Sequence, residues 1–158
     1  MPGVGSYKEA MKNLKKKKII KPIIQHINSG KSFLGICLGF QLLFDSSSEF
    51  GNTKGLGILR GTINSFDSKK VKSIPHVGWN KAKLKNRKFN LINDSELYYF
   101  VHSFYAKPKN NKIVYTTTAV DNFVFCSSII YKNIYGCQFH PEKSGKQGLN
   151  FLKKFLQI

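Results

Sequence analysis

Acidic residues are scarce in this chain: eight Asp and Glu stand against 26 Lys and Arg in 158 residues, a formal net charge of +18. Arginine is scarcer still, with Arg60 and Arg87 its only two representatives. A phosphate backbone attracts any cluster of cations, but base edges are read best by the planar guanidinium fork. Cations that are nearly all lysine and spread along the chain, with one tight run at Lys15-Lys16-Lys17-Lys18, read as a solvated basic surface and argue against specific nucleic-acid recognition. Cysteine is limited to Cys37, Cys126 and Cys137, an odd number without a Cys-x-x-Cys pair. That excludes a disulfide scaffold or zinc module and fits a reduced compartment. No apolar run approaches the roughly 18 residues of a membrane span. Met1-Pro2-Gly3-Val4-Gly5 has no basic segment followed by an apolar stretch, so it does not read as a secretory signal. A cytoplasmic location is expected.

What is present is enough to build a packed core, because 41% of the residues are hydrophobic and 13% aromatic. No repeat or Pro/Ser-rich linker divides the chain, so residues 1–158 are expected to form one domain. Residues 7–18 read as a basic helix. Residues 19–28 read as a second helix, with Ile20, Ile23, Ile24 and Ile27 on one stripe. The apolar run 33–36 suits a buried parallel strand, and residues 38–44 read as a buried helix. Beyond residue 55 the texture turns to β, with strands expected over 56–66, 78–84, 97–106, 112–119, 123–131 and 134–139. Asn110-Asn111 and Lys132-Asn133 are the expected hairpin turns. A helix over 146–156 closes the chain. The order predicts an α/β fold, a mixed sheet flanked by helices with an antiparallel β extension.

The most informative stretch is Gly35-Ile36-Cys37-Leu38-Gly39-Phe40-Gln41. A nucleophile on a tight strand-to-helix turn sits on strained backbone, and side chains two residues to either side collide, so glycine belongs there. At a helix start, free N–H groups favour the reactive thiolate, and the Leu38 amide faces a developing oxyanion. A buried structural cysteine is the competing reading. A thiol nucleophile needs a base, and the base an orienting group. His26 lies in an early helix, His76 follows Pro75 in an expected loop, and His102 lies in an aromatic strand. His140 differs: it ends an apolar strand within His140-Pro141-Glu142. Pro141 biases His140 toward extended backbone, where residues i and i+2 share a side, so Glu142 can orient its ring. Cys126 and Cys137 read as packed thiols.

These residues, together with Phe139-His140-Pro141-Glu142-Lys143-Ser144, resemble the class I (triad-type) glutamine amidotransferases. Pro2-Gly3-Val4-Gly5-Ser6, Pro75-His76-Val77-Gly78-Trp79-Asn80 and Tyr99-Phe100-Val101-His102-Ser103 are similar to the glutaminase subunits of imidazole glycerol phosphate synthases. The resemblance implies a Cys37, His140, Glu142 triad and an oxyanion site from Leu38 and the Gly3-Val4-Gly5 loop. It implies glutamine binding by Gln41, Glu49, His102, Ser103 and Phe104. It also implies docking of a cyclase (β/α)8-barrel subunit near His76, Trp79, Asn80, Tyr99 and Lys143, although core packing explains the aromatics nearly as well. Neither cofactor nor metal is called for. The family carries a strand and a helix before the Pro-Gly-Val-Gly loop, so the chain is expected to be N-terminally truncated relative to it. Paralogous glutaminases supplying ammonia to amidino-sugar synthesis share these motifs, and a non-catalytic fragment would keep them too.

Overall fold

The computed structural model describes residues 1–158. Strand β1 (Pro2–Gly3) leads into helices α1 (Tyr7–Lys16) and α2 (Ile20–Asn28), then strand β2 (Phe33–Cys37) and the short helix α3 (Leu38–Gln41). Strands β3 (Phe44–Ser47), β4 (Thr53–Lys54), β5 (Leu59–Ser65), β6 (His76–Leu84), β7 (Glu96–His102) and β8 (Phe104–Pro108) follow. Strands β9 (Val114–Val120), β10 (Phe123–Tyr131) and β11 (Ile134–Cys137) precede the final helix α4 (Gly145–Leu156). The main path of the sheet runs β1-β2-β11-β10-β8-β5-β3-β4. Its β1–β2 and β2–β11 pairs are parallel, as is β3–β5. The β6–β7 pair is antiparallel and joins the sheet through β9. This is the expected α/β architecture with its antiparallel extension.

Strand β2 reads as an apolar run because both of its faces are covered. Phe33 packs with Tyr7, Ile27, Phe40 and Ile134 on one side. Leu34, its neighbour in sequence, packs with Tyr98, Tyr135 and Phe139 on the other. In α1 the Ser6 hydroxyl accepts from the Glu9 N–H, and Lys15 and Lys16 occupy the last turn, where the helix dipole favours cations. The isoleucine stripe of α2 buries Ile27 fully and half-buries Ile20, Ile23 and Ile24.

Four local expectations need correction. The helix expected over 38–44 ends at Gln41, and Phe44 opens a strand. Short, wholly apolar runs have no periodicity to separate helix from buried strand, and here pairing with β5 decides. The strand expected over 97–106 is two strands: β7 pairs with β6 up to His102, then the chain crosses to pair with β5 and β10. Asn110-Asn111 is not a hairpin turn, because β8 and β9 do not pair with each other. The tight turns are Asp121-Asn122 and Lys132-Asn133, with Asp121 at φ 47° and Lys132 at φ 54°. His76 begins β6 rather than lying in a loop. No helix is long and apolar enough to cross a membrane.

Candidate active site

The turn between β2 and α3 places Cys37 at φ 51° and ψ −113°, a backbone region that is costly for an L-residue and recurs at functional sites. The flanking glycines are required by crowding. A Cβ on Gly35 would lie 2.8 Å from the Cα of Phe40, and one on Gly39 would lie 1.9 Å from the carbonyl oxygen of Met1. Both obstacles are backbone and cannot swing aside. The strained elbow read from the sequence is therefore present.

The charge state of Cys37 differs from expectation. Burial pushes its thiol up to about 11, against smaller lowering effects from the Leu38 N–H and the Gln138 amide. The helix α3 has only four residues, too few peptide dipoles to outweigh that desolvation. At rest Cys37 is a thiol, and any attack by its sulfur would need a base to take the proton.

His140 is the histidine placed where a base for Cys37 would be expected. It lines the same cleft as Cys37 and is buried, with its Nε2 lacking any hydrogen-bond partner. Its Nδ1 lies 2.7 Å from Glu142 Oε1. Because the carboxylate only accepts, Nδ1 carries a proton, and in the neutral ring Nε2 presents a lone pair. His140 is extended as expected, at φ −98° and ψ 94°, but the extended chain stops there: Pro141 starts a one-turn 3-10 helix, Pro141–Lys143, from which Glu142 reaches the ring. The loop is tied to β7 at both ends. The His140 N–H donates to the Tyr99 carbonyl at 2.9 Å, the Tyr99 N–H donates to Ser144 Oγ at 2.9 Å, and that hydroxyl donates to the His140 carbonyl at 2.6 Å.

The cleft holds about 320 Å³, the size of a small-metabolite pocket. Val4, Gly5, Cys37, Leu38, Gln41 and Glu49 line it. His102, Ser103 and Phe104 line it where the chain crosses from β7 to β8. One Glu49 oxygen accepts from the Tyr7 N–H at the start of α1 at 2.6 Å, which fixes a carboxylate in the wall. Gln41 donates through Nε2 to the Phe104 carbonyl at 3.0 Å and to Gln138 Oε1 at 2.9 Å. His102 is buried and held well toward the neutral form, to about 3, chiefly by desolvation. Its Nδ1 faces the Phe104 carbonyl at 2.8 Å, and its Nε2 meets His76 Nδ1 at 3.1 Å.

Not every residue singled out from the sequence reaches the cleft wall. Gly3 does not line it but pairs with Cys37 in the β1–β2 register, and Glu142 stands behind His140. His76 and Asn80 face inward from β6: His76 packs among Phe66, Phe100 and Phe125, and Asn80 donates to the Ala119 carbonyl at 2.8 Å. The outer face of the β6–β7 arm instead presents Trp79, 51% exposed, against Tyr99, with ring centroids 6.1 Å apart. Lys143 is exposed at the adjoining turn. His26 stays at the surface, its Nε2 against the Ser32 carbonyl. Cys126 and Cys137 are buried packed thiols, Cys126 pushed up to about 12 by desolvation. Sequence reasoning missed Pro75 and Val101, which also line the cleft, and Gln138. A glutamine inside the apolar strand run 134–139 was the available signal for the last.

A family model described as "Glutamine amidotransferase class-I" matches residues 1–158. The chain belongs to that family. The imidazole glycerol phosphate synthase subunit HisH of Pyrococcus furiosus is 44% identical over 100% of this chain and 80% of its own length. That of Prochlorococcus marinus is 45% identical over 99% of this chain and 77% of its own, and the HisH 1 subunit of Legionella pneumophila (strain Lens) is 42% identical over 100% and 79%. Among solved structures, a glutamine amidotransferase superposes with a TM-score of 0.70 over 98% of this chain and 76% of that one, at 15% identity. A second, from Thermotoga maritima, gives 0.61 over 99% and 60%, at 17% identity. These two likenesses concern the fold alone. They place the mixed sheet and its flanking helices within the class I glutamine amidotransferase architecture.

Proposed function

We propose that residues 1–158 form a glutaminase domain that hydrolyses the side-chain amide of glutamine and passes the ammonia to a cyclase subunit of imidazole glycerol phosphate synthase. The observation that carries this reading is the buried, unpartnered Nε2 of His140, held by Glu142 at the edge of the cleft that contains Cys37. In the first step the Cys37 thiol gives its proton to Nε2 and the sulfur attacks the amide carbonyl carbon. The oxyanion forms beside the Leu38 N–H and the Gly3-Val4-Gly5 loop. Collapse breaks the C–N bond, and His140 returns the proton to the departing nitrogen, which leaves as ammonia. Water, deprotonated by His140, then cleaves the thioester to glutamate and regenerates the thiol.

The substrate groups find matching partners in the cleft. The Glu49 carboxylate suits the α-ammonium, and the free Oε1 of Gln41 accepts a hydrogen bond. Direct delivery of ammonia to a (β/α)8-barrel cyclase avoids its protonation and loss in water. The products of the complete synthase are imidazole glycerol phosphate and aminoimidazole carboxamide ribotide, in cytoplasmic histidine biosynthesis. The relatives named above support this choice of partner, and Trp79, Tyr99 and Lys143 supply the docking face, with His76 and Asn80 buttressing it from within. The test is glutamate release from glutamine by the chain alone and with the cyclase subunit plus its ribotide substrate. Activity that rises sharply with the cyclase is expected. Equal activity with and without it removes the partner from the account.

A further inference from the structure

Gln138 takes no part in the chemistry above, yet it is fully buried between two residues of the site. Its Oε1 accepts from Gln41 Nε2 at 2.9 Å, and its Nε2 lies 3.7 Å from Cys37 Sγ. The orientation of both amides follows from one backbone group. The Phe104 carbonyl can only accept, so the Gln41 atom facing it is the NH2. That same NH2 meets Gln138, which must therefore turn its oxygen toward Gln41 and its own NH2 toward the sulfur. The polarity is thus set from Phe104 through Gln41 and Gln138 to Cys37, and the sulfur receives a donor. The arrangement also spends both N–H bonds of Gln41, leaving Oε1 as its free polar atom in the cleft wall.

We propose that Gln138 is a positioning residue of this glutaminase, its amide holding the Gln41 acceptor toward substrate with one end and the Cys37 sulfur with the other. The proposal deepens the glutaminase reading and rests on it for the role of Gln41. A purely packing glutamine would affect stability alone. A positioning one acts on the thiolate and on substrate binding separately, because a hydrogen bond to an ionised acceptor is stronger than one to a neutral acceptor.

The experiment pairs two variants with two readouts: glutamine turnover, and the pH dependence of Cys37 alkylation by iodoacetamide, located by peptide mass spectrometry. Thermal unfolding confirms that each variant folds. Gln138→Met keeps the volume and removes both hydrogen bonds. It is expected to raise KM for glutamine and to move the alkylation midpoint up by about one pH unit, a roughly tenfold drop in thiolate at a given pH. Gln138→Glu keeps the shape: its acid form still donates to the sulfur, while its carboxylate has no donor and repels the thiolate. It is expected to add a flat limb, absent from the parent protein, on which alkylation stops rising with pH while the new carboxyl titrates, because ionising that carboxyl opposes ionisation of the thiol. A folded Gln138→Met protein with an unchanged alkylation midpoint overturns the proposal. If that variant does not fold, the absence of the new limb in Gln138→Glu overturns it. A parent chain that hydrolyses no glutamine while the alkylation shift is present overturns the glutaminase reading instead and leaves the clamp on Cys37 standing.

Discussion

At Cys37 two demands meet: the nucleophile must be reachable at a strained elbow, and it must be enclosed enough to exclude water. Enclosure wins the resting charge state, raising the thiol to about 11, so in the proposed mechanism proton transfer to His140 comes before attack. Cys37→Ala is expected to reduce glutamate release to background. Glu142→Gln leaves the imidazole in place but loses its carboxylate partner, and a fall of roughly 10²-fold in kcat is expected, the low end of what a positioned acid–base group contributes. Steady-state assays of the two variants check this, and equal losses contradict the division of roles. A second residue-scale effect concerns His102, whose buried ring is held neutral to about 3 against about 6.5 in an unfolded chain. A histidine with a depressed folded value is protonated first in the unfolded state, so stability falls as pH drops below about 6.5 and keeps falling toward 3. Denaturant midpoints measured from pH 7 to pH 4 should show this slope, and His102→Asn should flatten it.

Among the elements, the elbow was legible because its glycines answer to hard sterics that a spacing can encode. Gly35→Ala places a Cβ 2.8 Å from backbone, and a loss of about 1–3 kcal/mol, the usual cost of overpacking, is expected in denaturant titrations. The Lys132 turn gives the opposite sign. Lys132 sits at φ 54°, where an L-residue costs about 1–2 kcal/mol and glycine loses roughly 0.5–1 kcal/mol of chain entropy. Lys132→Gly is therefore expected to gain about 0.5 kcal/mol, read from the same titrations. Less legible was everything set by pairing rather than pattern. The chain from Leu97 to Ala106 is uniformly strand-like, and nothing local marks Ser103 as the crossing between two partners. That crossing brings Ser103 and the Phe104 carbonyl to the cleft. Likewise His76 and Trp79 are three residues apart on one strand, so they face opposite sides. That placement became readable only once β6 was known to start at His76.

For the molecule as a whole, the excess of +18 works against compaction, because few acidic residues pair with the lysines. The exposed pairs Arg60–Asp45 and Arg87–Asp94 are too few and too solvated to offset it. Screening should therefore help: the melting temperature is expected to rise between low salt and about 0.15 M, where the Debye length shrinks to about 8 Å. A thermal melt series in NaCl checks this, and a melting temperature that falls over this range contradicts self-repulsion as the dominant surface term. The central claim, however, is covalent: glutamine passes through a thioester on one particular sulfur. Rapid acid quenching during turnover, followed by peptide mass spectrometry, tests it most directly. The account predicts a glutamyl adduct on the Cys37 peptide that is absent from Cys37→Ala. An adduct confined to Cys126 or Cys137, or hydrolysis that survives in Cys37→Ala, would contradict it.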